Sequence, residues 1–309
     1  TGYGLKGQGN QMFVVRSSEE GLCRWLEING KKFASRHNLS IPPAFINAGD
    51  GKHEHPTQEL LDQYTFWKYK SGDMSHIHIA LIGDLLHGRT IHSKVDGLRL
   101  YKDVEVDMVA PEELAMPGHY IERMQEYGFK IRLFESLDEY YAQKHVAAEQ
   151  YFTRLQLERM GDDIQKRSAG LRSKVRLRKD HLDKLPKDAK LRHPLPRYKE
   201  DPTIPTFVDD TSFNGYEEES MNGLYTRIVL QACIAGRLGE DFNGQTIEAK
   251  TYPDDFIERS KPESSGIKNY KEGIRPISQG MVIDHICRGD SEKDIWKHLG
   301  IVREVMDLY

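Results

Sequence analysis

The sequence predicts an α/β protein, with parallel sheets covered by helices on both faces and length for two domains and part of a third. Three observations carry that expectation. Short apolar runs alternate with helix-like stretches from about residue 11 to about residue 240. Polar clusters recur near the C-terminal ends of the expected strands, the edge where such folds bind ligands. At 309 residues the chain can bury more than one sizeable core.

The elements follow in order. Met12-Phe13-Val14-Val15 reads as a short buried strand, with a helix through Glu20–Leu26 after it. The apolar run Pro43–Ile46 ends in the glycine-punctuated loop Asn47–Gly51. Pro56 stands where a first helical residue belongs, with Leu60, Leu61, Tyr64 and Trp67 as an apolar stripe behind it. Such a strand–loop–helix corner offers backbone N–H groups to an anion. Ile77–Ile82 is a second clear strand, ending at Gly83-Asp84, and Ile91, Val95 and Leu98 mark one face of a helix. Val104–Val109 is a strand, a helix runs through Tyr120–Tyr127, and Lys130–Phe134 is a strand again. A helix is expected over Asn222–Leu238. Residues 246–272, poor in apolar groups and rich in breakers, read as a linker. Met281–Ile286 then reads as a new strand and Asp290–Leu299 as a helix, a unit too short to bury a core alone.

Composition narrows the function classes. The net charge of −4 gives no global reason to expect a nucleic-acid partner. No apolar run approaches the ~20 residues that span a bilayer. Cys23, Cys233 and Cys287 lie far apart, which argues against a disulfide framework or a zinc ribbon and for a reduced, cytoplasmic setting. The first residues are not a signal peptide and include no initiating Met, so the chain is expected to start inside a longer protein. The seven Lys and Arg of residues 166–179 have no aromatic residues among them and read as a solvated loop or helix face.

Five polar clusters carry chemistry: Val-Val-Arg16-Ser, His55-Pro-Thr-Gln58, Gly88-Arg89-Thr90-Ile-His92-Ser93, Tyr-Phe-Thr153-Arg154-Leu-Gln156-Leu-Glu158-Arg159, and His193-Pro-Leu195-Pro196-Arg197. Together they supply arginines, an imidazole, and amide and hydroxyl donors, without a nucleophilic Cys or a Ser–His pair. Such a set suits a multiply anionic substrate pair and catalysis by positioning and charge stabilisation. Planar guanidinium forks fit carboxylate and phosphate in particular.

Over roughly residues 8–242, the order and spacing of these motifs resemble the catalytic chain of the aspartate carbamoyltransferase family. After the linker, Gly273-Ile-Arg-Pro-Ile-Ser-Gln-Gly-Met-Val-Ile-Asp284-His285-Ile resembles the start of that family's regulatory chain. The resemblance implies the aspartate/ornithine carbamoyltransferase fold. It implies a partial carbamoyl-phosphate domain (1–56), an interdomain helix (57–70), an aspartate domain (71–216) and a returning helix (217–245). The linker (246–272) and a truncated α+β regulatory nucleotide-binding domain (273–309) would follow. It implies that Arg16 and His55 contact carbamoyl phosphate, with His55 donating to the carbonyl oxygen and Gln58 holding the carbamoyl nitrogen. Arg89, with Thr90 nearby, would bind the α-carboxylate of L-aspartate. Arg154 would take the β-carboxylate, with Gln156 orienting it. Leu195 and Pro196 would offer carbonyls to the carbamoyl amine. Asp284 and His285 would touch a nucleotide effector. Homotrimers or larger homo-oligomers with sites between subunits are implied, with no cofactor and no metal. The family's Ser-Thr-Arg-Thr-Arg phosphate clamp and its Ser/Lys loop do not precede Arg16, so this piece is expected to be inactive by itself.

Blander readings stand beside these. The His76/His78 pair has strand spacing for a metal, but no matching Asp/Lys set is expected downstream. His53 reads as a solvated loop residue, His193 as a brace for the Pro-Leu-Pro turn, Arg197 as structural, and Arg159 as holding the aspartate loop. His92 reads equally as a catalyst or a partner-bonding helix residue, and Asp84 equally as a base or a loop brace. Three rival functions remain. The ornithine-specific relative has Cys where Pro194 stands and reads a cationic side chain. A silent dicarboxylate-binding or assembly remnant would show no turnover. A metallohydrolase would rest on the His-x-His pairs alone.

Overall fold

The computed structural model describes residues 12–36, 44–156, 168–199 and 202–234. They fall into two compact units, one formed by residues up to Leu60 and from Tyr225 onward, the other by Leu61–Leu224.

In the first unit, strands β1 (Met12–Ser17) and β2 (Ala44–Asp50) pair in parallel, joined by helix α1 (Leu22–Arg36). The helix runs well past the expected Leu26. Asn29 does not stop it, because its carboxamide donates back to the Trp25 carbonyl at 2.8 Å. Glu27 meanwhile pairs with Arg24 and Lys31 along the outer face. The β1–β2 register keeps step from Met12↔Ala44 to Val15↔Asn47 and then shifts, so that Ser17 faces Asp50. Arg16 sits at that irregularity with its side chain exposed. Helix α2 (Pro56–Tyr69) begins at the expected proline.

The second unit is built on a five-stranded, all-parallel sheet. Its strands are β3 (His76–Ile82), β4 (Asp103–Val109), β5 (Lys130–Phe134), β6 (Glu149–Phe152) and β7 (Lys190–Arg192), in the order β5-β4-β3-β6-β7. Helices α3 (Arg89–Gly97), α4 (Gly118–Glu126), α5 (Leu137–Tyr141) and α6 (Ser168–Val175) connect them. The chain steps outward from β3 to β5, then returns to lay β6 on the other side of β3, so the strand order reverses between β3 and β6. The apolar residues of the central strands, such as Ile79, Leu81, Ile82, Val106, Tyr151 and Phe152, are fully buried, as a parallel sheet covered on both faces requires. Helix α7 (Tyr216–Ile234) starts six residues before the expected Asn222. Asn222 donates to the Thr65 hydroxyl at 2.9 Å, fastening α7 to α2 within this unit.

Two charge pairs are sealed inside the second unit. The Lys94 ammonium on α3 meets Asp62 on α2, with both side chains shut off from solvent, and lies 4.1 Å from the centre of the Tyr151 ring. Arg192 on β7 grips Glu149 on β6 through two nitrogens, at 2.9 and 3.2 Å. Among the described residues no helix is long and apolar enough to cross a membrane. The expected linker, the strand Met281–Ile286, the helix Asp290–Leu299, and Arg159, Asp284 and His285 lie outside the described residues.

Candidate active site

The C-terminal ends of the neighbouring strands β3 and β6 carry the residues expected to read aspartate, and the end of β7, next to β6, carries Leu195 and Pro196, expected to offer carbonyls to the carbamoyl amine. Asp84, directly after β3, organises two of those ends. It is fully buried, and its Oδ1 accepts from the His87 amide at 2.9 Å while its Oδ2 accepts from the Gln156 amide at 3.0 Å. The His87 ring nitrogen Nδ1 lies 3.2 Å from both oxygens. The Asp84 amide in turn donates to the Thr153 hydroxyl at 3.1 Å, and the Gln156 carboxamide donates to the His87 carbonyl at 2.9 Å. Of the two open readings of Asp84, these contacts describe the loop brace. The bracket needs two glycines. Gly83 has φ +117°, and a Cβ there would lie 2.5 Å from the Thr153 carbonyl oxygen; a Cβ on Gly88 would lie 2.5 Å from that of Asp84. Helix α3 then opens at Arg89, which is half-buried, with Thr90 buried beside it. Arg154 is half-buried on the loop after β6.

The end of β7 is fixed by His193. Its amide donates to Glu219 Oε2 on α7, and its Nδ1 accepts from the Leu195 amide, both at 2.9 Å. That acceptor role requires an unprotonated Nδ1. Burial, reinforced by the Arg197 and Arg154 charges, pushes the ring pKa down to about 3 and keeps it neutral. His193 is thus the brace the sequence suggested, and it holds Leu195 at φ +49° with Leu195 and Pro196 exposed. Arg197 is paired with Asp209 at 2.6 and 3.0 Å, as a structural residue would be.

In the first unit, His55 and Gln58 open α2. The His55 carbonyl accepts from the amides of Gln58 (2.9 Å) and Glu59 (3.1 Å), and its Nδ1 lies 3.3 Å from the Thr57 hydroxyl. A Thr57 hydroxyl donating to Nδ1 would leave the proton, and so a donor, on Nε2. Gln58 is buried. The expectation of a solvated His53 fails. Its ring is wedged between two buried carboxylates, with Nδ1 3.2 Å from Asp50 and Nε2 3.6 Å from Glu54. Two carboxylates removed from water demand a nearby cation, and this histidine supplies it.

The other histidines also find partners. His92 Nε2 donates to the Leu85 carbonyl at 2.9 Å and its ring stacks on Tyr120, so it bonds within the fold. The acidic partners of His76 and His78, absent from the expected pattern, come from the neighbouring strand: Asp103 at 3.0 Å and Asp107 at 2.6 Å. His76, Asp103 and Glu105 offer ligand atoms within 4.8 Å of one another, but Lys130 reaches both carboxylates, at 3.0 and 3.4 Å. Sequence reading missed Glu219, His87 and the Asp62–Lys94 pair. Only Lys94 left a trace, as a cation among the apolar residues Ile91, Val95 and Leu98 of its helix.

Residues 75–233 match the family model described as aspartate/ornithine carbamoyltransferase, Asp/Orn binding domain. The chain belongs to that family. It is 50% identical over 309 residues to the protein PyrBI of Treponema denticola, covering 98% of this chain and 58% of that protein. It is 35% identical over 222 residues to the aspartate carbamoyltransferase catalytic subunit of Aliivibrio fischeri, covering 72% of this chain and 65% of the subunit. The chain thus spans under two thirds of the length of these curated relatives. Among solved structures, the aspartate transcarbamoylase of Trypanosoma cruzi in complex with carbamoyl phosphate and aspartate superimposes with a TM-score of 0.58 at 27% identity, covering 74% of this chain and 66% of that one. The expected α/β fold is that of the family.

Proposed function

We propose that this chain belongs to an enzyme that transfers the carbamoyl group of carbamoyl phosphate to L-aspartate, giving N-carbamoyl-L-aspartate and phosphate in pyrimidine biosynthesis. One observation carries the reading. Arg89, at the start of the helix after β3, and Arg154, on the loop after β6, stand where the strand order reverses, and the segments leading to both hang on Asp84. A crevice at such a reversal is where open α/β sheets take ligands. Two guanidinium groups on adjacent loops suit the two carboxylates of aspartate, and a cationic acceptor such as ornithine would meet repulsion there.

In this reading Arg89 and Thr90 take the α-carboxylate, and Arg154 the β-carboxylate. Gln156, whose carboxamide is bonded to the His87 carbonyl, orients that group through the loop it stiffens. His55 and Arg16 polarise and bind the carbamoyl phosphate, Gln58 holds the carbamoyl nitrogen, and the Leu195 and Pro196 carbonyls receive its amine. The neutral aspartate amine attacks the carbamoyl carbon, the tetrahedral oxyanion is stabilised by the His55 donor, and phosphate leaves. No covalent intermediate and no metal is required.

We further propose a natural fusion of catalytic and regulatory chains, because the match to the Treponema protein covers 98% of this chain and so extends well past the transferase region. The same reading gives a cytoplasmic homo-oligomer, trimeric or larger, with Asp284 and His285 contributing to a nucleotide effector site. In the full-length protein, Arg154→Ala should weaken aspartate binding by about 100-fold, the value of one charge-assisted fork, and leave carbamoyl phosphate binding nearly unchanged. Equal losses for both substrates would overturn the assignment.

A further inference from the structure

The corner between β2 and α2 holds an ion cluster that the chemistry above does not call on. The Asp50 and Glu54 side chains are buried. Asp50 accepts from the amides of Gly21 and Glu54, each at 2.9 Å, and its own amide donates to the Glu54 carbonyl at 3.0 Å. The loop is thereby closed on itself and tied to the turn ahead of α1. Gly51, at φ +48°, lets the chain pass under Glu20, whose Cγ would lie 2.8 Å from a Cβ at that position. His53 fills the remaining gap, its two ring nitrogens directed to the two different carboxylates. Nδ1 is within hydrogen-bond reach of Asp50, and Nε2 stands at ion-pair distance from Glu54; only the doubly protonated ring brings positive charge to both acids.

We propose that His53 is a positioning residue: as an imidazolium gripped by Asp50 and Glu54, it fixes the corner that presents His55 to the carbamoyl group. The inference rests on the transferase reading, since it gives the corner a substrate to align. The charged groups facing His53 agree with it. Burial alone would lower the ring's pKa, but Glu54, Asp50 and Glu20 push it up to about 9. Burial would raise Asp50, yet the His53 contact and the two amides hold it below the usual carboxylate range. The Cys23 thiol, buried beside Asp50 and Glu27, is pushed up to about 12 and stays neutral. At neutral pH the corner is locked; as the pH climbs toward 9 and beyond, the two carboxylates lose their cation.

The test measures kcat/KM for carbamoyl phosphate against pH in the full-length protein, together with an NMR titration of the His53 ring. The wild type should lose about tenfold in kcat/KM across pH 8–10, a modest cost for a misaligned reacting group, with the KM for aspartate unmoved. His53→Gln should show that tenfold loss already at pH 7.5 and no step above it. Glu54→Gln, which keeps the ring and removes one charge, should shift the step about one pH unit lower. A ring that is neutral at pH 7, or a His53→Gln profile identical to wild type, overturns the proposal. Should His53→Gln fail to fold, the Glu54→Gln shift and the ring titration still decide. Absence of carbamoyl transfer by the wild-type protein would instead sink the transferase reading, whatever the ring titration reports.

Discussion

Asp50 and Asp84 are both buried aspartates at the C-terminal end of a strand, and each braces the turn carrying a candidate site residue, yet they do so in different ways. Asp50 works mostly locally. His53 and Glu54 lie within four residues of it, only the Gly21 amide comes from 29 residues back, and a fifth of the His53 side chain remains exposed. Asp84 works at long range, stitching the end of β3 to a loop 72 residues further along, with every member buried or half-buried. A local brace tuned by a titratable ring can respond to pH. A long-range brace made largely of backbone amides holds two loops as one piece.

That contrast can be broken or sharpened by experiment. The largest effect should come from Lys94→Ala, which strands Asp62 without its cation inside the second unit and should cost about 4 kcal/mol in urea unfolding. Asp84→Ala, by removing two amide acceptors, should cost about 3 kcal/mol and slacken both loops together, read as faster hydrogen exchange at His87 and Gln156 alike. Exchange rising at only one of them would mean that the loops are not coupled. Gly83→Ala should cost about 2 kcal/mol, since Thr153 must give way to a methyl group on a backbone at positive φ. The smallest effects belong to pH and to the first unit. The folded pKa of His53 is raised, so its stabilisation is full below about 6.5 and fades as pH rises through about 9. Asp50 is depressed, so its contribution holds above the ordinary carboxylate range and is lost as pH falls through its lowered folded pKa. Protection factors at the Gly21 and Glu54 amides, taken against intrinsic exchange at each pH, should therefore fall at both extremes, with a maximum between.

Legibility in the sequence followed the same division. The central strands could be read because burial on both faces leaves apolar runs, and Lys130–Phe134 was placed to the residue. The end of α1 could not, because whether Asn29 caps or continues a helix depends on which way its side chain bonds. Arg89, Arg154 and Leu195 announced themselves through motif spacing and lie at three adjacent strand ends. Glu219 and His87, which hold those ends, have no local signal. Glu219 owes its role to the His193 amide 26 residues away, and His87, though bonded to Asp84 only three residues back, holds the β6 end through Gln156, 69 residues on. His53 was misjudged for a related reason: a histidine beside glycine and lysine looks wet until the neighbouring acids are known to be buried.

The Gln156 bond to the His87 carbonyl bears on how such a pocket could change its diet. That side chain is part of the masonry, so altering it to favour another acceptor would shake the wall that also carries Arg89. On the proposed transferase reading, retargeting, whether by drift or by an engineer, has an easier path through residue 154.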